Sequence, residues 1–216
     1  MGSDPAIPLP SLRRLPVYYR RLRQALDERL AVISSQELGD AADVPAAQVR
    51  KDLSHVGLVG RAGVGYEVAA LAECLERLLG LVHDKEAVLV GVGNLARALI
   101  SYPGFTRYGL RIVALFDADP AKVGTVLGEH RILPVSELAD LTRRLQVQMG
   151  IITVPAEAAQ FVAEQMVAGG ITVIWNFAPT TLQVPDCILV KNEDLAAELA
   201  TLSHHMSRRH LEHPSS

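Results

Sequence analysis

Gly91-Val-Gly93-Asn-Leu-Ala96 follows directly on the apolar run Ala87-Val-Leu-Val90 and opens a helical segment from Leu95 to about Ser101. An all-apolar run reads as a central strand of a parallel sheet, covered on both faces. G-x-G-x-x-A at a strand-to-helix turn is the dinucleotide fingerprint with alanine as its third member. Gly91 permits the tight turn, Gly93 lets a pyrophosphate approach the backbone, and Ala96 lets the helix pack closely on the strand. The helix N-terminus offers N–H groups and a positive dipole end. The next strand, residues 111–117, ends in Asp117, whose carboxylate suits the adenosine ribose hydroxyls and selects NAD(H) over NADP(H). Gly91, Val92, Gly93, Asn94, Leu95 and Asp117 are therefore candidate cofactor-binding residues. Asp119 and Lys122 read as capping and solvating a following helix.

The alternation continues with a helix over 136–145, a buried strand over 149–154, a helix over 156–168 stopped by Gly169-Gly170, strands over 171–176 and 188–191, and a last helix from Asn192 to about Met206. Strands alternating with helices predict an α/β doubly wound sheet. Such sheets bind ligands beyond the carboxyl ends of their strands, which nominates Thr153, Pro155, Asn176, Phe177 and Ala178 as walls of the nicotinamide end. A dehydrogenase also needs a substrate domain and a proton-transfer residue. Only one helix and a tail remain after the dinucleotide fold, and none of the seven histidines sits at a predicted strand end. The chain is therefore expected to bind NAD(H) without catalysing hydride transfer, with no catalytic residues and no metal. An NAD-dependent oxidoreductase of a small substrate is the alternative.

The first third is helical and ends in glycines. Leu15, Tyr18, Tyr19, Leu22, Leu26 and Leu30 recur every three or four residues, an apolar stripe on a helix opened by Pro16 and running to about Val32. Ser34-Ser-Gln-Glu37 is a capping box that predicts a second helix from Ser35 to about Ala42. After the turn Asp43-Val-Pro45, a third helix runs to about Val56. Helix, tight turn and helix, with Leu38, Ala41, Ala42 and Val44 packed at the turn, is the pattern of a helix-turn-helix. The third helix presents Gln48, Arg50, Lys51 and Ser54. Glutamine and arginine read base edges in the major groove, while lysine and serine suit phosphates. Residues 57–66 hold four glycines and read as a hairpin, or wing, with Arg61 near its tip. A connecting helix over 68–79 carries Cys74 on its apolar face.

Charge supports this division weakly. Residues 1–66 carry a net +2 and residues 67–216 a net −5, within a total of −3. That excludes a strongly basic chain and points to an anionic partner only for the first part. Two distant cysteines, Cys74 and Cys187, exclude a disulfide scaffold and suit a reducing cytoplasm. Apolar runs fall short of a membrane span, and the chain reads without a signal peptide.

The chain resembles the Rex-type redox-sensing transcriptional repressors over about residues 7–206. The marks are Arg14-Leu-Pro16 with Tyr18-Tyr-Arg20, Gln48-Val-Arg-Lys-Asp-Leu-Ser54, Gly63-Val-Gly-Tyr66, Gly91-Val-Gly-Asn-Leu95, Tyr102-Pro-Gly-Phe105, Phe116-Asp-Ala-Asp-Pro120, Thr153-Val-Pro155, Asn176-Phe-Ala-Pro179 and the segment around Asn192 and Asp194. The resemblance implies a winged-helix DNA-binding domain (7–80), a Rossmann NAD(H)-binding domain (81–192) and a C-terminal helix (193–208) swapped between the subunits of a homodimer. It implies a repressor that holds double-stranded operator DNA when NADH is low and leaves it when NADH binds. It also implies that Arg20, Tyr102 and Asp194 form an interdomain network sensing the nicotinamide, with Tyr102 near the cofactor. The sequence departs from the family at His55-Val56 and Gly57-Leu-Val-Gly60, where aromatics are usual. It departs again at Leu195, where some members place a phenylalanine.

Overall fold

The computed structural model describes residues 7–194 together with 196, 197, 199, 200, 202 and 203. It divides into two compact units between His83 and Asp84.

The first unit comprises α1 (Leu9–Asp27), β1 (Val32–Ile33), α2 (Ser35–Ala42), α3 (Ala46–Ser54), β2 (Tyr66–Glu67) and α4 (Val68–Leu78). Helix α1 begins well before Pro16, which lies inside it. Pro10 occupies the first turn, where its missing N–H costs nothing. An interior proline costs about 3 kcal/mol. The burial of Leu15, Tyr18, Tyr19 and Leu22 outweighs that. The helix also stops earlier than expected. Arg29 adopts φ 59°, and the N–H groups of Arg29 and Leu30 return to the carbonyls of Leu26 and Ala25, a Schellman stop. Val32 and Ile33 then pair antiparallel with Glu67 and Tyr66.

Helix α2 has the expected capping box: the Glu37 N–H donates to Ser34 Oγ at 3.1 Å and the Ser34 N–H to Glu37 Oε2 at 2.9 Å. The turn into α3 depends on Gly39, because a Cβ there would lie 2.4 Å from the Val44 carbonyl oxygen. Leu38, Val49 and Leu53 close the core beneath this turn.

The second unit carries β3 (Lys85–Val90), α5 (Asn94–Ile100), α6 (Pro103–Arg107), β4 (Leu110–Asp117), β5 (Val126–Leu127), β6 (His130–Pro134), a 3-10 turn leading into α7 (Leu138–Leu145), β7 (Met149–Ile152), α8 (Ala156–Ala168), β8 (Val173–Asn176) and β9 (Leu189–Asn192). Its seven-stranded sheet runs β5-β6-β4-β3-β7-β8-β9. Only β5 is antiparallel to its neighbour. The six parallel strands therefore follow the 3-2-1-4-5-6 order of a doubly wound sheet, reversing between β3 and β7. Val88 and Val90 face α7 and α8 through Leu138, Val162 and Met166. Ala87 and Leu89 face the opposite layer with Ala96 and Leu99 of α5.

Two expectations fail in this unit. No helix follows β4: residues 119–124 form a turn, and the β5–β6 hairpin comes next. Gly124 and Gly128, interspersed with β-branched Thr125 and Val126, disfavour a helix there. The last helix does not begin at Asn192, which ends β9. Asp194 Oδ1 instead accepts the N–H groups of Ala196 and Ala197 at 3.0 Å each, as an N-cap does. Residues 196, 197, 199, 200, 202 and 203 are helical. Leu195 and the remainder of the expected 193–208 helix lie outside the described residues.

Candidate functional site

The glycine loop leaves the sheet at its point of reversal. Gly91 adopts φ 97°, and a Cβ there would lie 2.8 Å from the Thr153 carbonyl oxygen. The Thr153 hydroxyl donates to the Gly91 carbonyl at 2.8 Å, so the ends of β3 and β7 are stitched together. Gly93 is different: nothing lies within 4 Å of a Cβ built on it. No contact among the described residues demands a glycine there, and the open space in front of it suits a group that must reach the backbone. Gly93 caps α5 without a side-chain bond. Gly93 and Asn94 are exposed, and Leu95 is half-buried.

Asp117 stands at the end of β4, 7% exposed. Its Oδ2 accepts the Val92 N–H at 2.7 Å and Lys122 Nζ at 3.1 Å, and its Oδ1 accepts the Asp119 N–H at 2.9 Å. Burial alone would push this carboxyl up, but those three donors outweigh it and hold it below the usual carboxylate range. Oδ1 keeps an acceptor position, which fits a ribose hydroxyl. Lys122, assigned from sequence to a helix surface, is instead the partner of Asp117. Val92 offers no side chain to a ligand: it is buried in the core, and its N–H belongs to Asp117.

Around the reversal point, Thr153 is half-buried and Pro155 exposed. Asn176 is fully buried. Its Nδ2 donates to the carbonyls of Ala178 and Thr180 and to Asn192 Oδ1, and its Oδ1 accepts the Ala178 N–H. Its side chain is committed to these bonds within the protein. Phe177 is half-buried and Ala178 buried. Tyr102, at the N-cap of α6, is 57% exposed.

In the first unit, Arg50, Lys51 and Ser54 lie on the exposed face of α3, opposite Val49, Asp52 and Leu53. Arg50 Nη1 donates to Ser35 Oγ at 3.1 Å, fixing the guanidinium at the start of α2. A cleft of about 490 Å³, lined by Ser35, Arg50, Ser54, Arg61 and Tyr66 among others, joins α3 to the glycine loop. Arg61 is exposed but pairs with Gly65 at the base of that loop. Ala62-Gly-Val64 forms the tip, because the backbones of Arg61 and Gly65 bond to each other and leave only those three outside.

Gln48 does not face outward freely: its Nε2 donates to Asp52 Oδ1 at 2.8 Å. Asp52 is fully buried and also accepts Ser11 Oγ, Arg14 Nε and Nη2, and the Tyr18 hydroxyl, at 2.6–2.9 Å. Burial alone would push the Asp52 carboxyl up. The bonds from Arg14, Gln48, Tyr18 and Ser11 outweigh it and hold the group well below the usual range. The same cluster, through burial first, pushes the Tyr18 phenol up.

Residues 82–180 match the family described as "CoA binding domain", and residues 6–54 that described as "Putative DNA-binding protein N-terminus". A protein of Chloroflexus aurantiacus named redox-sensing transcriptional repressor Rex is 44% identical over 197 residues, 91% of this chain and 93% of its own. A Streptomyces avermitilis protein of the same name is 43% identical, over 94% of this chain and 81% of its own. The chain belongs to the Rex family of redox-sensing transcriptional repressors.

The crystal structure of RSP with β-NAD+ and operator DNA superimposes with a TM-score of 0.89 at 34% identity, covering 95% of this chain and 94% of that one. RSP with β-NADH gives 0.85 at 32% identity, covering 95% and 97%. This Rex chain is thus a repressor and not an enzyme, with a winged-helix unit before a Rossmann unit. Among the described residues no three His, Cys, Asp or Glu side chains gather as a metal site, and no helix is long and apolar enough to cross a membrane. Of the three residues assigned to sensing, Arg20 is exposed on α1 of the first unit, while Tyr102 and Asp194 belong to the second.

Proposed function

We propose that this Rex protein binds operator DNA through α3 and the glycine loop, binds NAD(H) at the β3–β7 reversal, and leaves the operator when NADH binds. Arg50, Lys51, Ser54 and Arg61 carry the DNA contacts, with Gln48 helping to hold α3 in place. Gly93, Asn94 and Leu95 take the pyrophosphate, Asp117 the ribose, and Thr153, Pro155, Phe177 and Ala178 surround the nicotinamide, with Tyr102 nearby. The carrying observation is the contrast between Gly91, which has no room for a side chain, and Gly93, which has open space in front of it. NADH and NAD+ differ by one charge and by ring planarity, so discrimination rests on residues at the nicotinamide end, where Tyr102 and Asp194 are assigned with Arg20 as the switch.

We further infer a winged-helix domain over 7–80, a Rossmann domain over 81–192, a C-terminal helix over 193–208 exchanged within a homodimer, and a cytoplasmic location. Operator binding by fluorescence anisotropy, titrated separately with NADH and NAD+, tests this function. NADH is expected to lower operator affinity at concentrations where NAD+ does not. Equal responses to the two would refute it.

A further inference from the structure

The second unit holds an aromatic relay of which the cofactor assignment uses only the two ends, Tyr102 and Phe177, and leaves Phe105 and Trp175 without a role. The Tyr102 and Phe105 rings meet edge to face at 5.3 Å, and Phe105 meets Trp175 in the same way at 5.5 Å. Trp175 tilts against Phe177 at 4.9 Å. Such geometries add favourable ring–ring electrostatics to the burial of apolar area. The far side of the indole is polar: Trp175 Nε1 donates to Glu193 Oε1 at 3.2 Å. Glu193 follows β9 directly, and its N–H donates to the Asn176 carbonyl at 2.8 Å. Its carboxylate, a third exposed, also lies 3.4 Å from Lys191 Nζ. One run of contacts therefore connects Tyr102, through the strand that forms the nicotinamide wall, to the residue preceding Asp194.

We propose that Trp175 is a positioning residue for the redox response, and that its bond to Glu193 transmits occupancy of the nicotinamide end to the segment beginning at Asp194. This rests on the function proposed above. A ligand shifts a conformational equilibrium only through contacts that differ between the two states. Phe177 and Tyr102 are assigned to the nicotinamide end; Phe177 packs on Trp175 directly and Tyr102 reaches it through Phe105. The indole N–H makes a single directional bond to the carboxylate of a residue just beyond the edge strand β9, so it can be made in one state and lost in the other. The neighbouring Lys191–Glu193 pair is exposed and contributes little.

The test uses the full chain and three variants. Trp175→Phe keeps a ring and removes the donor. Glu193→Leu removes the acceptor, and Glu193→Gln retains an amide oxygen as acceptor while losing the charge. NADH affinity is measured by calorimetry, and operator affinity by anisotropy with and without saturating NADH. W175F and E193L should bind NADH within about threefold of the parent, while the NADH-induced loss of operator affinity shrinks by about five- to tenfold, the scale of one ordinary hydrogen bond. E193Q should respond as the parent does. If W175F does not fold, the contrast between E193L and E193Q decides alone, because both leave the ring packing intact. An undiminished response in W175F and E193L overturns the proposal, as does loss of NADH binding itself, which would make these residues part of the cofactor wall. A parent chain that ignores NADH refutes the proposed function instead, a failure visible before any variant is measured.

Discussion

Replacing Asp52 by alanine should unfold the first unit far more readily than the second. The carboxylate is fully buried and receives five hydrogen bonds, two of them from Arg14. Removing one member of a buried ion pair costs about 3–5 kcal/mol, because the other charge stays behind without a partner. Arg14 is 23% exposed and can turn partly toward water, which favours the lower end, about 3 kcal/mol. Against typical slopes of about 1–3 kcal/mol per molar urea, that is a midpoint shift of about 1–3 M. Trp175 is the only tryptophan and lies in the second unit. Its fluorescence follows that unit, while far-UV circular dichroism also follows the helices of the first, so a two-phase melt is readable. The circular-dichroism phase should move and the Trp175 phase should stay. The acid limb carries an independent check. A carboxyl held low in the folded state leaves the unfolded chain with more bound protons as pH falls, so its contribution is full above about pH 4 and is lost progressively below. Asp52→Asn should flatten that limb. A midpoint shift under about 0.3 M for Asp52→Ala would refute the claim that this cluster anchors α3 to α1.

Further outcomes follow from the two sites. Arg50→Ala should cost about 1–3 kcal/mol of operator affinity and relax specificity at one base pair, whereas Lys51→Ala should weaken all sequences alike and reduce the salt slope by about one, both read by anisotropy across a salt series. Gly93→Val should abolish NADH binding by calorimetry while leaving thermal unfolding near the parent value, since the added side chain meets open space within the protein. NADPH should bind at least tenfold more weakly than NADH to the parent, a difference of about 1.4 kcal/mol, and Lys122→Ala should widen that gap by removing the cation that offsets Asp117. Asp194→Asn keeps a capping acceptor and removes the charge, so it should shrink the NADH effect on operator affinity without destabilising the last helix. Asp194→Ala should do both, at about 0.5–2 kcal/mol for the lost cap.

Much of this was legible because the signals were local and periodic. The capping box at Ser34 and Glu37, the apolar strand before Gly91 and the stop at Gly169-Gly170 each depend on residues a few positions apart. What escaped depended on distant partners. Nothing near Pro16 reveals that Ser11 and Arg14 will be drawn into the helix by a carboxylate more than thirty-five residues away. Nothing around Lys122 indicates a turn, since a lysine after Asp-Pro also suits a helix; only the two later glycines argue against one. β5 is an edge strand of two residues, too short to carry a periodic pattern. The Asp52 cluster did leave a trace. Position 52 falls between Val49 and Leu53 on the face that α3 buries, and an acid there implies partners.

That trace changes how base recognition is apportioned. From sequence, Gln48 and Arg50 were equal candidates for reading base edges. In the structure one of the two Gln48 amide N–H donors is committed to Asp52, which fixes the amide beside the buried carboxylate and makes it the weaker candidate for the bidentate contact with adenine. Arg50 gives one guanidinium nitrogen to an exposed serine hydroxyl, a neutral and replaceable bond, and keeps its other donors. On the proposed function, direct readout along α3 would then concentrate on Arg50, with Lys51 and Ser54 left to the phosphates. A Gln48→Ala variant separates the roles. If Gln48 only braces Asp52, operator sequence preference stays that of the parent while the acid stability of the first unit falls, since one of the bonds holding the Asp52 carboxyl low is gone. A preference altered at one base pair with unchanged acid stability would place Gln48 on the DNA after all.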